Sequence, residues 1–300
     1  MVGKKSAASV ALDVLIYLVL GLFALACVYP FYYLFIYSIS DTRLVTQGVS
    51  FWPRGFSLYN YEQVFQLEGI ALSFFISVAR VVVGTALTVF CCSLLGYLFS
   101  KQEMPARKFM YRMLIITMYV SGGLIPTYLA YRSYGLLNTF WVYVLPTCVS
   151  AYNVILIKTY IEQLPDSLEE AAMIDGAGYF KIYYKVIFPL SIPILATIMI
   201  FAAVGQWNSW FDNHIYNATN TTLTTLQYKL YKLLNEAKAL TDLLKSGQAS
   251  SADIQNAAQA LSPKGVRITI TMVSAIPIFL VYPFMQRYFI SGIMIGAVKG

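Results

Sequence analysis

The chain has 300 residues, 58% of them hydrophobic and 12% charged, with a mean hydropathy of +0.64. Soluble domains carry about 25% charged residues, and a soluble fold of this length could not hide so much apolar surface, so lipid is the expected solvent. The net charge of +7 fits membrane proteins, which keep Lys and Arg in short cytoplasmic loops, better than it fits nucleic-acid binding. Cys27, Cys91, Cys92 and Cys148 lie in apolar runs without metal-ligand spacing, and His214 is the only histidine, so neither a disulfide framework nor a His/Cys metal site is expected. The fold class this predicts is an all-α integral membrane protein of about six transmembrane helices.

A spanning helix needs about 20 mostly apolar residues. Residues 1–13, with Lys4 and Lys5, read as a cytoplasmic N-terminal segment ahead of a transmembrane domain over 14–300. The first span is Val14–Ile39. It is longer than a signal-peptide core of about 7–15 residues and is read as a retained helix. The second is Val81–Ser100, with an outward extension back to Leu72; Arg80 near its outer edge is expected to snorkel to the interface. The third is Met113–Ala130, the fourth Thr139–Ile157, with Lys158 at its inner edge, and the fifth runs from near Pro189 to about Gln206. An extracytoplasmic insert over 211–267 follows. There Leu226, Leu230, Leu233, Leu234, Ala237, Leu240 and Leu244 have helical spacing, ahead of a polar break at Gly247–Asp253. The sixth span is Ile268–Met285. Lys4, Lys5, Lys101, Arg107, Lys108, Arg112, Lys181, Lys185, Arg287 and Lys299 fall on one side. Arg43, Arg54 and Arg132 fall in the two shorter connections of the other, which places both termini in the cytoplasm. Pro30, Pro126, Pro146, Pro193 and Pro277 read as kinks that neighbouring helices tolerate.

The loop over about 161–188 carries the most information. Pro165 and Asp166 stop the preceding element. Ser167 with Glu170, or Asp166 with Glu169, has capping-box spacing, and the acids suit a helix start. Gly176 can supply the left-handed turn that ends the short helix, and a second short helix is expected from about Tyr179 to the neighbourhood of Lys185. The predicted unit is a cytoplasmic helix-turn-helix joined to a span. Ala171 and Ala172 give it a narrow face that another protein can approach closely.

At these residues the sequence resembles the permease subunits of binding-protein-dependent ABC importers. Glu170-Ala171-Ala172 is followed at the family's spacing by Gly176, Val186 and Phe188-Pro189, and Asp175-Gly176-Ala177 matches its commoner form. Val186 and Phe188 depart mildly from the usual Ile and Leu. Phe51-Trp-Pro, Phe56-Ser-Leu-Tyr-Asn-Tyr61 and Gly296-Ala-Val-Lys-Gly300 resemble the carbohydrate-uptake branch, that of the maltose-permease second subunit, and the likeness covers nearly the whole chain. The resemblance implies a multi-pass subunit of a bacterial plasma membrane that is not itself an enzyme. Its implied partners are a second, different permease subunit, two ATPase subunits that hold ATP and Mg, and an extracytoplasmic solute-binding protein. Glu170, Ala171, Ala172, Asp175 and Gly176 would be the ATPase-coupling residues. The chain has no phosphate-binding loop of its own, and no cofactor is expected on it.

The spans show no acidic ring or cluster of buried charges of the kind that marks an ion path, and they are rich in aromatic and neutral polar residues. Tyr119 and Ser121 in the third span, and Trp207, Asn208 and Trp210 at the outer end of the fifth, are the candidate solute-path residues, with the two Trp rings as a stacking ledge for a neutral or weakly charged oligosaccharide. Interfacial aromatic belts occur in all membrane proteins and account for the same residues without a solute. The competing class is an ion-coupled secondary transporter, which needs inverted repeats or coupling-ion residues; neither is visible.

Overall fold

The computed structural model describes residues 7–41, 44, 51–246 and 264–297. Lys4, Lys5, Arg43, the polar break at Gly247–Asp253 and the last three residues of the tail lie outside them. The helices are α1 (Ala7–Ser38), α2 (Tyr59–Gln66), α3 (Ile70–Ser100), α4 (Arg107–Tyr119), α5 (Leu124–Ser133), α6 (Trp141–Val144), α7 (Ala151–Ile161), α8 (Ser167–Ile174), α9 (Tyr179–Ile182), α10 (Ile192–Asn208), α11 (Phe211–Tyr216), α12 (Leu226–Lys245) and α13 (Lys264–Ala297). No strand forms among the described residues beyond an isolated Ser40–Phe56 bridge.

The chain divides into two units, residues 1–68 with 232–276 and residues 69–231 with 277–300. In the first, α1 is apolar on every side and none of its most hydrophobic window is buried, the condition of a helix that lipid or another subunit must solvate. Its C-terminal end is tied down by polar bonds. The Asn60 amide donates to the Ser40 carbonyl at 3.2 Å, and the Ser38 and Tyr61 hydroxyls meet at 3.0 Å.

The second unit is organised on α3. Its inward face is small and polar: Ser73, Ser77, Gly84, Thr88, Ser93 and Gly96 are buried, while Leu72, Phe75, Val82 and Phe90 are exposed. In a bilayer there is no hydrophobic gain from bringing helices together, so small residues that allow close backbone contact set the interface. Gly96 shows why. A Cβ there would stand 2.8 Å from Ile157 Cγ2 and 3.2 Å from the Lys158 amide nitrogen, so α3 and α7 can cross this closely only over glycine. The core beside it holds Cys92, Tyr97, Val154, Ile157, Tyr183 and Ile198.

Two described helices, α1 and α3, are long and apolar enough to cross a membrane, or three if the bent pair ending in α10 counts as one span. The third and fourth expected spans are interrupted, at 120–123 and at 145–150, rather than continuous. The fifth begins at Ile192, later than Pro189, because the chain bends by 80° at Ser191. The insert helix is present as α12.

Candidate functional site

The segment after α7 is built as follows. The Leu168 amide bonds to the Pro165 carbonyl and the Glu170 amide to that of Asp166, so the chain is already helical at Asp166. With Asp166 at φ −59° and ψ −29°, its carboxylate does not reach the amides ahead, and no side-chain cap forms. The capping box expected at Ser167/Glu170 or Asp166/Glu169 is therefore absent. Glu169 instead turns back to an ion pair with Lys101, just past the C-terminal end of α3, whose ammonium also lies 4.9 Å from the Tyr97 ring centre.

The end of α8 closes as a Schellman turn. The Gly176 amide bonds to the Met173 carbonyl at 2.9 Å and the Ala177 amide to that of Ala172 at 3.0 Å, with Gly176 at φ +74°. Ala172 and Ala177 pack against the core, while Glu170, Ala171 and Asp175 are exposed. The tip carries two large apolar side chains in the open, Ile174 at 87% and Phe180 at 69% exposure. From α9 the chain passes through a π-helical turn, Tyr183–Ile187, and a short turn at Phe188–Leu190 before the bend into α10. Tyr183 anchors that stretch: its hydroxyl meets Ser93 at 2.7 Å and its ring tilts against Tyr97. Lys158 pairs with Glu162 at 2.6 Å and lies over the Tyr111 ring.

At the other end of the same unit, Arg80 corrects a second expectation. It is 2% exposed rather than at the interface, and it forms an ion pair with Asp212. Its Nε donates to Gln206 Oε1 at 2.7 Å, and Nη1 donates to the Ser209 carbonyl at 3.2 Å and to Asp212 Oδ1 at 3.0 Å; its guanidinium lies 4.7 Å from the Tyr143 ring centre. Gln206 passes the network on, donating to Thr147 Oγ1 at 2.8 Å. A buried charge thus does sit beside the spans, contrary to the sequence reading. Its partner Asp212 lies beyond the fifth span, 132 residues away, where no local pattern could link the two.

The aromatic ledge is not what the structure builds. Trp207 is 7% exposed, packs edge-on against Phe74 and lines an apolar groove of about 220 Å³ with Val78, Val82, Ile200 and Val204. The Trp210 ring is stacked on Tyr231 at 3.8 Å. Asn208 is exposed, with its carbonyl oxygen 3.4 Å from the Gln227 amide. Nearby, Tyr216 stacks on Tyr128 and meets Tyr131 edge-on; burial, and then the Asp212 carboxylate, push the Tyr216 phenol above its ordinary range.

Tyr119 and Ser121 fall at the break between α4 and α5. Tyr119 is 84% exposed. In residues 120–123 the Ser121 and Gly122 amides, and the carbonyls of Val120, Ser121 and Gly122, have no hydrogen-bond partner among the described residues. Only Val120 and Gly123 are held, the first by the Ile116 carbonyl and the second by its contact with the Ser121 hydroxyl at 3.3 Å and by Thr127. The break at 145–150 is different. There the Thr147 carbonyl accepts from Thr88, the Cys148 and Ser150 carbonyls face the Cys92 thiol, and the Thr147 hydroxyl accepts from Gln206.

A small-residue helical core, a Gly176-closed double turn at one end and broken apolar segments beside it are the architecture of a helical membrane-embedded subunit. The chain belongs to the family of binding-protein-dependent transport system inner membrane components, whose pattern matches residues 92–211, from mid-α3 to the start of α11. It is 34% identical to the polygalacturonan/rhamnogalacturonan transport system permease protein YtcP of Bacillus subtilis (strain 168), over 96% of this chain and 98% of that one. It is 29% identical to the lactose transport system permease protein LacG of Rhizobium radiobacter, over 96% of each. Among solved structures, a chain of a bacterial ABC transporter involved in the import of the acidic polysaccharide alginate superposes with a TM-score of 0.81 at 29% identity, over 95% of this chain and 99% of that one. The protein is therefore a permease subunit of a binding-protein-dependent ABC importer, a class that works with a partner permease, an ATPase and a solute-binding protein. The ion-coupled alternative finds no support.

Proposed function

We propose that the chain forms part of the solute path of an ATP-driven saccharide importer in a bacterial plasma membrane, and that the Glu170–Gly176 turn docks on a cytoplasmic ATPase. The observation that carries this is the construction of that turn. One face, Ala172 and Ala177, is packed on the α3/α7 core, and the other presents Glu170, Ile174 and Phe180, all exposed among the described residues. An apolar tip on a rigid, glycine-closed turn is a surface for another protein. Lys101, Arg107, Lys158, Lys181 and Lys185 cluster at the same end of the sequence map, which supports placing it, and both termini, in the cytoplasm, with six passes in all. ATP and Mg belong to two ATPase subunits, and a second, different permease completes the path. Alternation between inward and outward access then follows from ATPase closure binding one state better than the other.

The solute class rests on the relatives, whose names specify pectic polysaccharides, lactose and alginate. These include acidic as well as neutral saccharides, so the solute class is saccharide, wider than the neutral or weakly charged oligosaccharide the sequence suggests. The test is uptake into proteoliposomes holding the purified importer, with its binding protein outside and ATP inside, using raffinose and trigalacturonate. Uptake of either that stops on omitting ATP and survives a protonophore is expected. Uptake that tracks the proton gradient, or accumulation of amino acids and of neither saccharide, would overturn the reading.

A further inference from the structure

We infer that the backbone of residues 120–123, with the exposed Tyr119 ring beside it, lines the aqueous solute path and hydrogen-bonds saccharide hydroxyls directly. The inference rests on the saccharide-importer reading and deepens it.

Arg112 is the last charged residue of α4 and Arg132 the first of α5. Taking α4 and α5 as one interrupted span bounded by these two arginines, at 1.5 Å per helical residue the break lies about 12 Å beyond the one and about 13 Å before the other, near the middle of a hydrocarbon core about 30 Å thick. Unwound backbone at that depth is tolerated only where it is buried in protein or lines water, because lipid offers no partner for its amides and carbonyls. The described residues of its own unit do not bury this stretch. Positions 121–123 are exposed, and a Cβ at Gly122 or Gly123 would meet nothing within 4 Å. Neither α4 nor α5 has a buried residue.

The contrast with the break at 145–150 carries the argument further. There the fold supplies Thr88, Cys92 and Gln206 to the freed groups. At 120–123 it holds only the two ends, Val120 through the Ile116 carbonyl and Gly123 through the Ser121 hydroxyl and Thr127, and supplies nothing among the described residues to the groups between. Two open amides and three open carbonyls in one short run offer both donors and acceptors, which is the pairing a sugar hydroxyl needs, since it donates and accepts at once. A carboxylate would use only the amides. Two consecutive glycines let a bulky solute approach the main chain, and Tyr119, with its ring in the open, supplies the flat apolar face that stacks on a pyranose.

The experiment uses the assembled importer in membranes, with Ser121→Cys, Gly122→Cys and, as a dry control in the charge-free stretch of α1 after Asp13, Val19→Cys, each measured against the native chain's own thiols. Gly122 has no left-handed backbone requirement and open space around it, so the substitution there is compatible with the fold. Both path positions are expected to react with a membrane-impermeant methanethiosulfonate at least about ten-fold faster than position 19, as water-lined sites do. Binding protein loaded with whichever of raffinose and trigalacturonate the importer accumulates should slow them. Absence of reaction at both positions means the stretch is sealed under the partner permease and overturns the inference. Reaction without protection by the transported saccharide overturns the solute contact. Accumulation of amino acids and of neither saccharide by the unsubstituted importer refutes the saccharide reading itself, a result read separately from the labelling.

Discussion

Asp212→Leu is the sharpest perturbation the structure offers. Arg80 is 2% exposed and directs four N–H groups at protein oxygens, two of them at the Asp212 carboxylate. Removing that carboxylate strands a buried guanidinium, and breaking a buried pair from one side costs about 3–5 kcal/mol. Arg80→Met strands Asp212 instead. That carboxylate is 16% exposed and keeps some access to water, so its loss is expected to cost less, about 1–3 kcal/mol. The double variant leaves neither charge unpaired and should cost less than the sum by about 2 kcal/mol or more, because buried pairs are often replaceable by apolar groups. The measurement is a double-mutant cycle on the thermal unfolding midpoint of the purified importer in detergent. At about 2–4 °C per kcal/mol for a unit of this size, Asp212→Leu should fall by roughly 6–20 °C. A drop under about 2 °C, or strictly additive effects in the cycle, would refute the claim that the pair holds α3 to the start of the insert.

The remaining expectations use the same logic. Gly96→Leu forces a side chain into Ile157 and the Lys158 backbone and should destabilise by about 1–3 kcal/mol, seen as a lower unfolding midpoint. Gly176→Ala meets no neighbour but keeps a left-handed φ of +74°, so its direct cost should be only about 1–2 kcal/mol, while saccharide uptake falls far more than stability does; unchanged uptake would count against the turn as the ATPase contact. Ile174→Asp, on the open tip, should shift the midpoint by no more than about 0.5 kcal/mol equivalent yet reduce co-purification of the ATPase subunits. Glu169→Gln should loosen the turn from the end of α3 and leave Lys101 held only by the Tyr97 ring, which faster amide exchange over 167–176 would report.

What was legible in the sequence was whatever depends on local pattern. The apolar runs located α1 and α3, the leucine spacing located α12, and Gly176 announced its turn because φ near +74° is one that glycine adopts without strain. What was illegible depends on contacts far apart in sequence. Arg80 looked like an interfacial residue because its partners Gln206, Ser209 and Asp212 lie 126 to 132 residues away. The capping-box pattern misled because Glu169 found Lys101, a charged partner 68 residues off, instead of a local amide. The breaks in the third and fourth spans were hidden by hydropathy, which counts side chains and is blind to the backbone. Gly122-Gly123 and Pro146 were the only local signs of them, and each also occurs in unbroken helices. Composition points to Tyr119 and Ser121 only as polar groups within an apolar run; the open backbone beside them is a property of the break, which composition does not show.

The arrangement also indicates how a push at the tip could reach the path. The α8–α9 turn is not loosely attached: Glu169 ties it to Lys101, Ala172 and Ala177 pack it on the core, and Tyr183 joins the π-helical stretch to Ser93 on α3. Beyond the bend at Ser191, α10 runs along α3, and its far end meets α3 again at Gln206, where Gly84 leaves room for it: a Cβ there would stand 2.7 Å from the Gln206 amide. The turn, α3 and α10 are thus fastened at both ends and have every reason to move as one body. The helices α4 and α5 have no buried residue and an unpaired break between them. Motion of a fastened body past a lightly held, interrupted one is how two discrete access states arise from packed helices. On that reading Gly84→Ala acts at a distance. By crowding Gln206 away from Arg80 and Thr147 it frees the outer end of the body while leaving the coupling turn intact. ATP hydrolysis by the importer should then persist while saccharide accumulation falls, and a proportional loss of both would instead mean that the substitution had only unfolded the subunit.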